Sequence, residues 1–408
     1  QRAHILSAWQ SMDFNTRFVF NKLITGGFRM GVSQNICTRA VAEAYAMKYE
    51  TVAHRLMGNW NPAETSLRKL LSDNASPETQ ALPYPFFLAH ALADDISNLG
   101  ELDCWQAEWK WDGIRGQLIY RNGQTYLWSR GEELINEQFP ELLKLGEYLP
   151  HNCVIDGEIV LIKEGKVLSF QHLQSRLGRK KVSKKTLIDW PAALIAYDIL
   201  EHEGQDIRHL PLKERRVILE QSLKNVPAEL GHVSPIVNFS SWVELAELRN
   251  TARLNNNEGL MLKNMESPYR IGRKRGDWWK WKVDPFTVDA VLIYAMQGHG
   301  RRSNLFTDYT FAVWQDGRLQ PFAKAYSGLS DKEIAEVDAF VKKNTLEKFG
   351  PVRSVKPELV FELAFEGIQI SSRHKSGIAV RFPRISRWRK DKKAEEADTL
   401  ETVKNLIP

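Results

Sequence analysis

A lysine sits between two carboxylates in AEWKWDGIRGQ, residues 107–117. If this stretch is a strand, alternation sets Glu108, Lys110 and Asp112 on one face and Trp109 and Trp111 on the other. A half-buried strand with a solvated charged face would show the same pattern. The alternative is covalent chemistry. A lysine amine attacks only when neutral, and at its ordinary pKa of about 10.4 it is almost wholly protonated at pH 7. Burial and nearby positive charge favour the neutral form. Arg115, Arg130, Lys280 and Lys282 are the cations a fold could bring to it. The same cations would hold a phosphate chain, the natural electrophile for such a lysine.

Positioning these residues takes several elements. Residues 1–75 read as helical, with apolar residues at three- and four-residue spacing in SAWQSMDFNTRFVFNKLI and TRAVAEAYAMKYETVAHRL. The glycine-rich turn TGGFRMGVSQN separates the two runs, and the proline-bearing SPETQALPYPF (76–86) reads as a linker. From 87 to 283 strands dominate. QLIYRNGQTYLWSR is a hairpin with an Asn122-Gly123 turn signal, and CVIDGEIVLIKEGKVL and LIAYDILEHEGQDI are two more. The helical stretches LKERRVILEQSLK and WVELAELRNTARL make this a mixed α+β domain. After Asp284-Pro285 the pattern is almost all strand, interrupted by the helix SDKEIAEVDAFVKKN, as in a small closed barrel of the OB type. A charged tail, KDKKAEEADTLETVKNLIP, closes the chain.

The bulk composition bounds the function. The 408 residues are 43% hydrophobic and 26% charged, an ordinary globular balance with room for several cores. No apolar run approaches the ~20 residues that span a bilayer, and no signal peptide is present, so no membrane partner is expected. The first residue is Gln1 rather than Met, as in a processed or truncated chain. A net charge of +6 and a pI of 9.0 fit a polyanionic partner. Basic residues cluster in SRLGRKKVSKK (175–185), RKRGDWWKWK (273–282) and RFPRISRWRKDKK (381–393), the last two interleaved with tryptophan. Three scattered cysteines argue for a reducing compartment and against a disulfide framework or a four-cysteine zinc site. The ten histidines show no metal-site spacing.

EWKWDGIR resembles the nucleotide-attachment motif K-x-D-G-x-R of covalent nucleotidyltransferases: ATP-dependent DNA ligases, RNA ligases and mRNA capping enzymes. Six further elements follow in the family's order over about 285 residues. They are SRGEELINEQFPEL (129–142), VIDGEIV (154–160), AYDIL (196–200), NEGLMLK (257–263), DWWKWK (277–282) and RFPRISRWRKDK (381–392). The resemblance implies a multidomain α+β chain. Residues 1–80 would be the C-terminal part of a helical DNA-binding domain, 81–283 the adenylation domain and 284–408 an OB-fold β-barrel with a terminal Arg-rich motif.

The resemblance also assigns roles. Lys110 attacks the α-phosphate of ATP and carries AMP. Glu108 accepts from the adenine amino group, which disfavours guanine. Arg115 and Arg130 contact ribose and phosphate, and Asp112 orients the loop. Tyr197 stacks on one face of the adenine and Met261 on the other. Glu158 and Glu258 are acceptors for ribose or for Mg²⁺ (or Mn²⁺). Lys280 and Lys282 point toward the α-phosphate, with Arg275 joining them. Arg387 and Lys392 orient the departing pyrophosphate as the barrel closes over the site.

Two features favour a DNA ligase within this group: Glu108, and the segment KLITGGFRMGVSQNICTRAVAEA (22–44), which resembles a ligase DNA-binding domain. Its Lys22, Arg29 and Arg39 are expected on the backbone of nicked duplex DNA. Arg301 and Arg302, with His299 in GHGRRSN (298–304), form a basic turn on phosphates. The chain most resembles stand-alone bacterial ligases of DNA repair, a monomer of the bacterial cytoplasm associated with the nucleoid. The alternatives are an RNA ligase, a capping-type enzyme, or a catalytically silent DNA-binding relative.

Overall fold

The computed structural model describes residues 2–26, 32–57, 60–61, 63–72, 81–177, 179, 182–298 and 302–407. The chain divides into two compact units, residues 1–242 with 260–281 and residues 243–259 with 282–408. Among the described residues no helix is long and apolar enough to cross a membrane.

The first unit begins with the helices Arg2–Ser11, Phe14–Ile24, Gln34–Ala44 and Tyr49–Arg55. Asp13 and Ser33 cap the second and third, accepting from the backbone N–H groups of Thr16 and Ile36. Residues 81–86, expected as linker, are instead largely interior: Tyr84 and Phe86 are buried, and the adjoining Phe87 is wholly so. The prolines leave few backbone donors to satisfy, and the aromatic side chains between them bury as anchors. His54 stacks on Tyr84 with ring centroids 4.9 Å apart, tying the helical segment to this strap.

A seven-stranded sheet forms the centre of the unit. Its order is Gly231–Val233, Ala192–His202, Cys153–Lys163, Ile114–Arg121, Gln124–Ser129, with two short strands at the sides. The Asn122-Gly123 turn takes positive φ at both residues, as a two-residue hairpin requires. Both sheet faces are covered. Leu118, Ile155, Ile159, Leu194 and Ile199 share a core with Leu219 of the Leu212–Ser222 helix. Ile119, Val154 and Leu200 pack with Phe87, Tyr269 and Trp278. Two covered faces explain the nearly unbroken apolar runs of the central strands. A second sheet runs His90–Ala91, Trp278–Lys282, Asn257–Asn264, Trp105–Trp111.

In the second unit Phe286–Gln297 is the central strand. It pairs antiparallel with Phe306–Gln315, Val352–Val355 and Val360–Phe365. Seven strands share this sheet, and the helix Asp331–Lys343 starts on a Ser330/Glu333 capping box. The expected charged tail is ordered structure. Arg384–Trp388, just before the tail, pairs with Val360–Phe365, and within the tail the short helix Leu400–Lys404 buries Leu400 and Val403 in the same core as Phe311 and Phe361. Its two apolar residues three apart are a helical stripe hidden among charges.

Burial, with Arg121 and Arg208 nearby, lowers the His54 pKa to about 4. The fold therefore holds this ring neutral, while the unfolded chain protonates it near pH 6.5. The contribution is complete above about pH 6.5 and is lost as the pH falls toward 4, amounting to about 3 kcal/mol. Thermal midpoints measured from about pH 7.5 down to 4.5 should fall less in His54→Phe, which keeps a ring on Tyr84, than in the wild type. Equal slopes would show that His54 does not set the acid sensitivity.

Candidate active site

The break after Lys110 has a steric cause. A Cβ on Gly113 would lie 2.3 Å from the Ile159 carbonyl oxygen and 2.9 Å from Glu158 Cγ. Gly157, across from Gly116, would place its Cβ 2.8 Å from the Ile195 carbonyl oxygen. Glycine lets the Cys153–Lys163 strand approach its neighbours closely, and Arg115 comes directly opposite Glu158. A register shift where Asp156 and Gly157 meet Asp198 and Ala196 leaves Tyr197 as the extra residue. Around this bulge Asp198 pairs with the buried Arg215 at 2.8 Å.

Arg115 is held within the unit by hydrogen bonds. Its Nε and Nη2 donate to the two Asp156 oxygens at 3.1 and 2.7 Å, and Nη1 donates to the Phe87 carbonyl at 2.6 Å. Nη2 also reaches the Tyr269 hydroxyl at 3.3 Å, which itself donates to Asp156 at 2.6 Å. Four of the five guanidinium donors are thereby engaged. Burial alone would lower the Arg115 pKa, but Asp156 beside it holds it well above the ordinary value. The Arg115 guanidinium lies 5.6 Å from the Tyr197 ring centroid. Burial pushes the Tyr197 hydroxyl up; Arg115 opposes this, while Asp156 and Glu158 reinforce it.

The second sheet brings another buried pair to the same ring. Lys263 donates to Glu108 Oε1 at 2.7 Å, and both side chains are 2% exposed. The Lys263 ammonium sits 4.5 Å from the Tyr197 ring centroid and 4.9 Å from that of Trp278. Strand alternation puts Lys110 on the Glu108 face, Met261 on the Lys263 face and Lys280 on the Trp278 face. Lys110, Met261, Lys280 and Glu158 are all half-buried. The first unit thus gathers Glu108, Arg115 and Tyr197 in one cluster, with Lys110 on a strand face that joins it.

Models of the ATP dependent DNA ligase domain and of the ATP dependent DNA ligase C terminal region match residues 87–282 and 302–392. A probable DNA ligase of Koribacter versatilis is 35% identical over 407 residues, covering 94% of this chain and 71% of that protein. A DNA ligase of Archaeoglobus fulgidus is 30% identical over 398 residues, covering 94% and 70%. This chain belongs to the ATP-dependent DNA ligases. A solved structure from a study of Lig E DNA ligases shares the fold, with a TM-score of 0.51 and 17% identity over 74% of this chain and 99% of that one.

Arg130 is exposed, its backbone N–H donating to the Arg115 carbonyl at 2.9 Å. Arg275 pairs with Asp94 at the surface. Within the second unit Lys282 lies 3.3 Å from Glu258 and 4.0 Å from Glu366. There Arg387 pairs with Glu362 and Lys392 with Asp289, at 2.9 and 2.6 Å. Arg302 pairs with Asp331 at 2.8 Å, Lys22 lies over the Phe18 ring, and Arg39 is exposed. Arg29, His299 and Arg301 fall outside the described residues.

Sequence reasoning missed Asp156, Tyr269, Gln106 and Lys263. Asp156 was visible in VIDGEIV and Lys263 in NEGLMLK, yet neither motif reveals its partner. Asp156→Asn should cost about 3–5 kcal/mol in urea unfolding, because it leaves a buried guanidinium without its counter-charge. Lys213→Ala, which breaks an exposed pair with Glu266 in the same unit, should cost less than about 1 kcal/mol. Similar losses in the two variants would contradict this ordering.

Proposed function

We propose that this chain seals nicks between a 3′-hydroxyl and a 5′-phosphate in duplex DNA through a Lys110–AMP intermediate. The observation that carries this reading is Glu108 and Lys110 on one strand face beside Tyr197. A base acceptor, an aromatic ring and a nucleophile are what covalent capture of an adenine nucleotide needs. The Lys110 amine attacks the α-phosphorus, a P–N bond forms, the bond to the bridging oxygen breaks and pyrophosphate leaves. The 5′-phosphate of the nick then takes the AMP and releases the lysine. Finally the 3′-hydroxyl attacks that 5′-phosphate and AMP departs.

Arg130 and Lys280 supply positive charge for the phosphates. Met261 covers the adenine face opposite Tyr197. Among the described residues no three His, Cys, Asp or Glu side chains cluster as a metal cage. A single carboxylate, Glu158 or Glu258, still suits Mg²⁺, which takes its other ligands from phosphate and water. Bound there, the ion would offset charge on the transferring group.

In this reading residues 284–408 are an OB-type barrel, residues 1–80 hold the DNA backbone through Lys22, Arg29 and Arg39, and Arg302 adds a phosphate contact. Lys282, Arg387 and Lys392 serve adenylation, and the protein acts as a monomer. Its place is the bacterial cytoplasm, in DNA repair.

Incubation with ATP or GTP labelled on the α-phosphate, followed by denaturing electrophoresis and a nick-joining assay, tests the function. Label should enter the protein from ATP only, and Lys110→Ala should lose both labelling and joining by at least about a thousandfold. Labelling from GTP would favour a capping-type enzyme, and DNA binding without labelling a silent relative. Arg387→Ala, which leaves the Arg384–Trp388 strand intact, should slow labelling more than joining of a pre-adenylated nick. Only the first step releases pyrophosphate. The reverse ranking would make Arg387 a DNA contact.

A further inference from the structure

Two buried donors converge on one oxygen of Glu108. Lys263 Nζ and Gln106 Nε2 both donate to Oε1, each at 2.7 Å. A carboxylate oxygen has two lone pairs, so Oε1 is filled. Among the described residues no donor reaches Oε2. Lys263 is itself held in place. It also donates to the Tyr197 carbonyl at 3.4 Å, and its ammonium lies over the Tyr197 and Trp278 rings.

We infer that Lys263 is a positioning residue for base recognition: it locks the Glu108 carboxylate so that Oε2 is presented to the 6-amino group of the nucleotide. This rests on the reading of Glu108 as the base acceptor, and it adds the reason that acceptor is specific. A carboxylate buried this deeply carries a large desolvation penalty unless a cation stands beside it. Lys263 removes the penalty, and Gln106 fixes the rotation of the group without adding charge. One cation thereby couples the acceptor for the base edge to the ring that would stack on the base face. Without it, Glu108 is a buried charge with a single neutral donor, and its open oxygen loses a fixed direction. A group fixed to accept one hydrogen bond rejects a base that cannot donate there, because the acceptor is left unpaired.

The test is a chemical double-mutant cycle. Single-turnover adenylation is measured with ATP and with purine riboside triphosphate, the same nucleotide without its 6-amino group. The amine preference is the ratio of limiting rate over half-saturating concentration for the two nucleotides. Wild-type protein should prefer ATP by at least about tenfold. Lys263→Met should prefer it by less than about threefold, with a raised half-saturating concentration for ATP and a limiting rate within about threefold of wild type. Lys263→Arg should restore most of the preference.

A purely structural lysine would weaken both nucleotides alike, and an unchanged preference in Lys263→Met overturns the inference. If that variant does not fold, Lys263→Gln carries the same comparison, since it keeps a donor and drops the charge. Its preference should fall at least about threefold, and a wild-type value overturns the inference equally. Glu108→Ala separates the two claims. If it keeps the wild-type preference, the acceptor reading of Glu108 falls. If it loses the preference while Lys263→Met keeps it, only the role of Lys263 falls.

Discussion

Charge on a sheet face that is out of water must be paired, and the Tyr197 cluster of this ligase is organised by that constraint. Arg115 is matched by Asp156 and Glu108 by Lys263, each pair closed by contacts near 2.7 Å. Each sheet carries one of the pairs, and both reach the Tyr197 ring. Together they fix where an aromatic face and a base acceptor stand. Lys110, two residues beyond Glu108, inherits its direction from the same strand.

The pairing also explains why so much charge is tolerated in an interior of Leu, Ile and Trp. Asp156 is fully buried and Tyr269 nearly so, yet the carboxylate accepts from three donors on two side chains. Phe87 completes the network through its backbone, accepting from Arg115 and donating to the Tyr269 hydroxyl. The strap of residues 81–88 is thereby part of the centre's support. Buried hydrogen-bond networks are rigid when every member is satisfied, and rigidity here means a fixed orientation for the groups that would meet the nucleotide.

What was legible in the sequence was local. The alternation around Lys110 set its face, Asn122-Gly123 gave the hairpin turn, and the order of the motifs indicated the family. The partners that hold the centre were not legible, because they are distant along the chain. Asp156 is 41 residues from Arg115, Tyr269 is 113 from Asp156, and Lys263 is 155 from Glu108. No periodicity encodes which strand will lie beside which. The Tyr197 bulge is also invisible to alternation, which it breaks. The proline-rich strap was misread for a related reason: composition favoured exposure, while a few apolar side chains decided for burial.

The central claim is that Lys110 is the residue positioned to take the nucleotide. Among neighbouring lysines, Lys263 is committed to Glu108, whereas Lys280 shares the half-buried setting of Lys110. The most direct measurement is peptide mapping by mass spectrometry of wild-type protein after incubation with ATP and Mg²⁺, under conditions that preserve a phosphoramidate. The account predicts a single AMP, carried on the peptide that contains Lys110. AMP on Lys263 or Lys280, with Lys110 unmodified, would contradict it.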